Sequence, residues 1–245
     1  LSIQHGEESK VDYNPIDRLV GIYSDILLTH LLSVEEYARS TNESESEVRK
    51  RLEIARLMVE FLEFINAPGQ FYIARDLQIY YPLEELMKLI RKCRDSDAIE
   101  SLKISVFTNI LMQPAGDMTR YVRNIKSIIG SEYQDEFLKE QQEIAADVHD
   151  SLPDPGQVDT SAIRQVVRAN DKAVQDLESS MDKALTNVRR NETKNKPIQL
   201  AEKASAFLES IDTHIILKMS KDERQKLAHH LDKIDRIIDT IRENM

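Results

Sequence analysis

The sequence predicts an all-α protein: a helical domain containing a helix-turn-helix, then a long helix and a C-terminal helical hairpin. Three observations carry this. Only 6 of the 245 residues are Gly, against an average usage of about 7%, too few for folds built on tight turns such as sandwiches, barrels and Gly-rich nucleotide loops. Apolar residues recur at spacings of three and four, which gives a helix one apolar face. Ser-x-x-Glu pairs, the signature of a capping box at a helix start, stand at Ser33 and Glu36, Ser44 and Glu47, and Ser220 and Glu223, while no stretch of useful length alternates as a strand does.

Asn14 and Pro15 start the first helix, because Asn accepts from first-turn amides and Pro is tolerated there. Ile16, Leu19, Val20, Tyr23, Ile26, Leu27 and His30 continue it over 16–32. Ser33 opens a short helix to about residue 40, and Ser44 opens one through residue 66 that Ala67, Pro68 and Gly69 end. Helices follow over 73–80, 82–93 and 96–111. After Pro114 and Gly116 come a basic helix, 118–129, and an acidic one, 134–149. Pro153, Pro155 and Gly156 then prevent a helix from continuing and mark the clearest linker. The expected division is 1–130 as a helix-turn-helix DNA-binding domain, 131–158 as acidic helix and Pro/Gly linker, and 159–245 as a C-terminal dimerisation region. Within the last, a long helix spans 161–190, a polar break 191–197, and two final helices 198–219 and 221–244.

The lone Cys93 excludes an intrachain disulfide framework and a Cys-based zinc cluster, and points to a reducing compartment. No apolar run approaches the ~18 residues of a membrane span, so a cytoplasmic chain with no membrane partner is expected. Leu1 stands where Met would, within a polar stretch over 2–8, which points to a fragment whose N-terminal part is missing. The formal net charge of −10 argues at first against nucleic acid, because phosphate binding needs Lys and Arg. Most of that deficit lies in residues 131–158, where eight carboxylates face Lys139 alone. Basic clusters stand elsewhere: Arg49 to Arg51; Arg120, Arg123 and Lys126; Arg189, Arg190, Lys194 and Lys196. Such asymmetry fits DNA contact at one place and a protein partner, or self-shielding, at another.

Residues 33–57, SVEEYARSTNESESEVRKRLEIARL, are the most informative segment. A helix-turn-helix needs a small residue where its helices cross, a turn residue that tolerates left-handed angles, and an apolar residue on the second helix facing the first. Ala38, Asn42 and Val48 stand in those places, with Tyr37, Leu52 and Ile54 to complete a small core. That register exposes Ser44, Glu45 and Ser46, and one turn later Arg49 and Lys50, the positions that enter a major groove in this motif. Arg49 suits a bidentate contact to guanine, Lys50 a base or phosphate, Glu45 the cytosine amine, and Ser44 and Ser46 a phosphate or base edge at a helix N-terminus. Asn42 stands where Gly is usual, a place Asn tolerates. The same spacing also describes a plain helical corner.

In its order of elements and helix-turn-helix register, the stretch over residues 12–112 resembles the central DNA-binding domain of the ParB family of partition proteins. The resemblance runs from the helix opened by Asn14, Pro15 and Ile16, through residues 33–57, to the apolar MVEFLEFINAPGQF segment and a Leu-rich helix. It implies a chain that reads DNA in partition or local regulation, associated with the nucleoid. It places the recognition contacts on Ser44, Glu45, Ser46, Arg49 and Lys50. The family's CTP-binding N-terminal domain has no counterpart in this sequence. The family usually has Gly at the position of Asn42 and apolar side chains at those of Thr41 and Arg51, departures that bear on the DNA site read.

Over 161–190, Ile163, Val167, Asn170, Val174, Leu177, Met181, Ala184 and Val188 step by four and three, a heptad seam with one Asn of the kind that fixes register in a two-stranded coiled coil. Ala184, with the competing Val166 and Leu185, favours an ordinary bundle helix instead. The last helix repeats the spacing at Leu227, Leu231, Ile234, Ile238 and Ile241. A two-helix hairpin has too little core to stand alone, so it must pack on the long helix or on a second copy; family members dimerise through their C-termini. There is no phosphate-binding glycine loop, no HExxH and no nucleophile elbow. Adjacent His229 and His230 point about 100° apart and chelate no ion together. Arg91, Lys92 and Arg94 around Cys93 favour a lowered thiol pKa, but no partner makes it a nucleophile. Glu136, Glu140 and Glu143 share a face without the accompanying Glu-x-x-His of a di-iron bundle. The expectation is a DNA-binding homodimer with no catalytic residue and no cofactor. The alternative is a helical interaction module without DNA binding whose acidic 131–158 segment docks a basic partner protein.

Overall fold

A computed structural model of the chain describes residues 14–93 and 95–245; the expectations that involve residues 2–8 and Arg94 lie outside them. The described residues are all-α, with no strand among them, and fall into two compact units that divide between Arg190 and Asn191.

In the first unit, α1 (Pro15–Ile22) is capped by Asn14, whose side chain accepts from the Ile16 amide at 2.9 Å. It runs into a π-helical turn, Tyr23–Leu28, and ends earlier than its apolar spacing predicts. His30 adopts a left-handed φ of 52° and its ring Nδ1 lies 3.0 Å from the Ile26 carbonyl. Then follow α2 (Val34–Thr41), α3 (Glu45–Phe64), α4 (Phe71–Asp76), α5 (Tyr80–Ile90), α6 (Ser96–Met112), α7 (Met118–Ile128), α8 (Gln134–Asp150), α9 (Thr160–Ala169) and α10 (Asp171–Glu209). The boundary between the units falls inside α10.

The core forms around α6, whose residues 105–112 are all buried. Ser105, Thr108 and Asn109 are buried there along with the apolar residues, so every side of this stretch faces protein. Phe107 of α6 meets Phe61 and Phe64 of α3 with ring centroids 5.6 and 5.7 Å apart. Leu83 and Leu86 of α5, Val122 and Ile125 of α7, and Phe137 and Leu138 of α8 join the same cluster. Polar contacts cross it: Ser105 and Asn109 both donate to the Gln141 side-chain oxygen, at 3.2 and 2.6 Å, and the Tyr121 hydroxyl donates to the Leu177 carbonyl at 3.0 Å.

That core overturns the expected division at 130 and 158. The acidic helix α8 is not a linker, because its inner face buries Phe137, Leu138, Ala145 and Val148. The Pro/Gly segment after it breaks the helix as expected but separates nothing. Val158 is buried in the main core, and the Asn66 amide at the end of α3 donates to the Pro153 carbonyl at 3.1 Å. The seam over 161–190 is also spent inside the molecule, with Ile163, Leu177, Met181, Ala184 and Val188 in the same cluster. Asn170, read as a register residue, instead separates α9 from α10. Its side-chain amide donates to the Val166 carbonyl and to Ser151 Oγ, both at 2.9 Å, so it competes with the helical ladder as Asn does near helix ends.

In the second unit α10 continues to Glu209 and holds Pro197, so the break expected over 191–197 is helical. A lone proline removes one amide, while Glu192, Lys194 and Lys196 around it are good helix formers. Then come α11 (Thr213–Ile216), with Asp212 capping the His214 amide, and α12 (Lys221–Glu243), opened by the expected Ser220 and Glu223 capping box. No residue of 191–245 is buried. Among the described residues, no helix is long and apolar enough to cross a membrane.

Candidate nucleic-acid interface

The α2–α3 corner is built from local chemistry. At the start of α2 the Ser33 backbone N–H donates to the Glu36 carboxylate at 2.8 Å, and the Glu36 N–H donates back to Ser33 Oγ at 3.2 Å. This exchange holds the Glu36 carboxyl below its ordinary 4.5. α2 ends at Asn42, with φ 55° and ψ 41°, and the next amide, of Glu43, donates to the Ala38 carbonyl at 2.9 Å. Only Gly, and at some cost Asn or Asp, enters that left-handed region readily. Ser44 caps α3 by accepting from the Glu47 N–H at 3.2 Å; α3 thus has this half of the expected box.

Ala38 and Val48 are buried together with Ile22 and Ile26, and Val34, Tyr37 and Leu52 pack around them. This is the small core anticipated from the spacing, with one difference: Ile54 belongs to the main core, and Ile22 and Ile26 take its place. α3 therefore begins in the small cluster and ends in the large one, which fixes its direction while leaving its first turn outside.

Ser44, Glu45 and Ser46 are exposed at the start of α3 and Arg49 is exposed one turn later. Arg49 bonds Glu45 at 2.9 Å, with side chains 63% and 49% exposed. An exposed pair one turn apart contributes about 0.3–0.5 kcal/mol, so the guanidinium exchanges it readily for a better acceptor. Lys50 is placed differently. Its ammonium bonds Glu84 of α5 at 2.7 Å, a hydrogen bond that raises its pKa. No spacing in the sequence points to Glu84, because the pairing depends on how α5 packs against α3. Beside it, Arg51 bonds Glu43, itself just after the turn, which gives the polar residue at that position a structural role.

Other candidates carry less. Cys93 is half-buried, and burial, then Asp95, raises its pKa, the reverse of the lowering expected from its basic neighbours. The His229 and His230 rings lie 6.0 Å apart. Among the described residues no three His, Cys, Asp or Glu side chains could hold a metal ion. Glu136 and Glu140 both accept from Lys183 of α10, at 2.8 and 2.5 Å, so two of the three acids on that face are engaged within the molecule. Two open clefts at one end of the first unit share Asp76, Leu77 and Gln113. No family model matches the chain, and neither does any curated protein or solved structure.

Proposed function

We propose that the chain is a sequence-specific duplex-DNA-binding protein of the ParB type, acting at the nucleoid in partition or local regulation, with α3 as its recognition helix. The observation that carries this reading is the α2–α3 corner: a buried alanine at the crossing, a left-handed Asn42 at the turn and a buried valine facing back, with Ser44, Glu45 and Ser46 exposed at the start of the second helix and Arg49 exposed one turn later. In a major groove, Ser44 and Ser46 meet a phosphate or base edge with the help of the α3 N-terminus. Arg49 exchanges Glu45 for O6 and N7 of a guanine, and the released Glu45 accepts from a cytosine amine. Lys50 reaches the duplex by leaving Glu84. In this reading a second copy covers the apolar face of 191–245, where Phe207 and Leu217 are 75% and 77% exposed, and the dimer presents two half-sites. In the rival reading, docking of a basic partner on the acidic helix, Glu136 and Glu140 exchange Lys183 for the partner's cations.

The test is fluorescence anisotropy on a random duplex pool at two salt concentrations, followed by selection of bound sequences. The expected result is affinity that falls steeply with salt, an enriched inverted repeat, and loss of the sequence preference in Arg49→Ala with Lys50→Ala. Absence of binding at low salt, or a preference unchanged in that variant, overturns the reading.

A further inference from the structure

A second cationic surface stands beside α3. On α5 and the two residues after it, Lys88, Arg91 and Lys92 recur at helical spacing, and on α7 Arg120, Arg123 and Lys126 do the same, so each set shares one face. All six are exposed. Glu84 and Glu85 are the carboxylates of α5, and α7 has none, in a chain whose net charge is −10. Such a chain meets a polyanion only where cations are gathered.

The three helices lie side by side, α3 against α5 and α5 against α7. Ion pairs cross both seams: Lys50 to Glu84 at 2.7 Å, Arg91 to Glu53 at 2.8 Å and Arg123 to Glu85 at 3.0 Å. Lys50 stands one turn beyond Ser46 on α3, so these pairs join the helix of the proposed reading turn to α5 and then to α7. At about 9 Å between packed helix axes, the two steps span about 18 Å, roughly half of the ~34 Å repeat of a duplex turn. Lys92, Arg120 and Lys126 make no ion pair among the described residues, which leaves three exposed cations with no carboxylate to release.

We infer that the outward faces of α5 and α7 bind the sugar-phosphate backbone of the same duplex that α3 reads, as a sequence-independent clamp that extends the footprint beyond the recognition helix. This rests on the DNA-binding reading of α3. The surface adds affinity and salt dependence and leaves sequence choice to α3, because phosphates carry no base identity.

The test uses the full chain carrying Arg120→Ser with Lys126→Ser, against a control of equal charge change, Arg164→Ser with Arg168→Ser on α9, measured on selected and random duplexes across a salt series. The expected result is equal weakening on both duplexes, a plot of log affinity against log salt shallower by about 2, and an unchanged sequence preference, while the control keeps the parent slope. An unchanged slope in the α7 variant, with the parent still binding and discriminating, overturns the clamp and leaves the recognition helix standing. An equal loss in the control overturns it too, since net charge then explains the effect. A parent chain that binds no duplex at low salt overturns both.

Discussion

The two units hold equally regular helices and differ in what those helices bury. In the first, Phe61 of α3 is fully buried against Phe107. In the second, Phe207 lies on an equally continuous helix and is 75% exposed. The same capping box opens α2 and α12, yet α2 presses Ala38 into a core and α12 buries nothing. Caps and propensity are thus enough to write a helix, whereas a core requires enough apolar surface arriving from several directions at once.

The widest separation is expected between two identical substitutions. Phe61→Ala removes a ring from a closed core and costs about 3–5 kcal/mol, measured by urea denaturation. Phe207→Ala shifts the same midpoint by less than about 0.5 kcal/mol at concentrations where the chain is monomeric. Equal costs would break the contrast. If a second copy covers the apolar face of 191–245, Phe207→Ala acts on self-association, seen as a lower apparent mass in sedimentation at concentrations where the parent dimerises.

The next effect tests the corner. Asn42→Val places a β-branched residue in a left-handed conformation and costs about 1–2 kcal/mol in the first unit, whereas Asn42→Gly is nearly neutral. A tolerated valine would mean that the turn is not held where Asn42 places it.

A matched pair of caps sharpens the comparison further. Ser33→Ala and Ser220→Ala each remove an N-cap worth about 1 kcal/mol of helix stability. The first lowers the unfolding midpoint, because α2 is tied to a cooperative core. The second lowers helicity by circular dichroism and leaves that midpoint in place.

Acid should give the smallest difference. Hydrogen bonds from the Ser33 and Ser220 amides hold the Glu36 and Glu223 carboxyls below 4.5. A carboxyl whose pKa is lowered by folding stabilises the fold above its ordinary value and loses that contribution as pH falls through the lower folded one. Below about pH 4.5 both caps therefore weaken. Glu36→Gln flattens the acid limb of the first unit's unfolding midpoint, and Glu223→Gln that of the second unit's helicity. An acid limb unchanged in both variants would remove these carboxyls from the account.

Which of these features were legible follows from their range in the chain. The starts at Asn14, Ser33, Ser44 and Ser220 were readable because a cap involves residues two or three apart. The corner was readable for a related reason: Ala38, Asn42 and Val48 lie within one supersecondary motif, and their types reflect a crossing, a turn and a facing contact. The exposure of Ser44, Glu45, Ser46 and Arg49 follows from that register. Lys50 does not follow, because Glu84 lies on another helix. Asn170 misled because one polar residue in an apolar seam signals register in a coiled coil and a break when its amide finds Ser151. The acidic run misled because its charge lies on the outer face of α8 while Phe137 and Leu138 line the inner one.

The sequence by itself determined the all-α class, where most helices begin and the spacing of the α2–α3 corner, since these depend on backbone angles and contacts a few residues apart. Tertiary structure alone decided that the acidic helix and the seam over 161–190 join one core, that Lys50 turns to Glu84, and that α5 packs against α3 and α7 against α5. Those outcomes depend on which apolar faces find each other across tens of residues, and a linear pattern records that a face exists without recording what it meets.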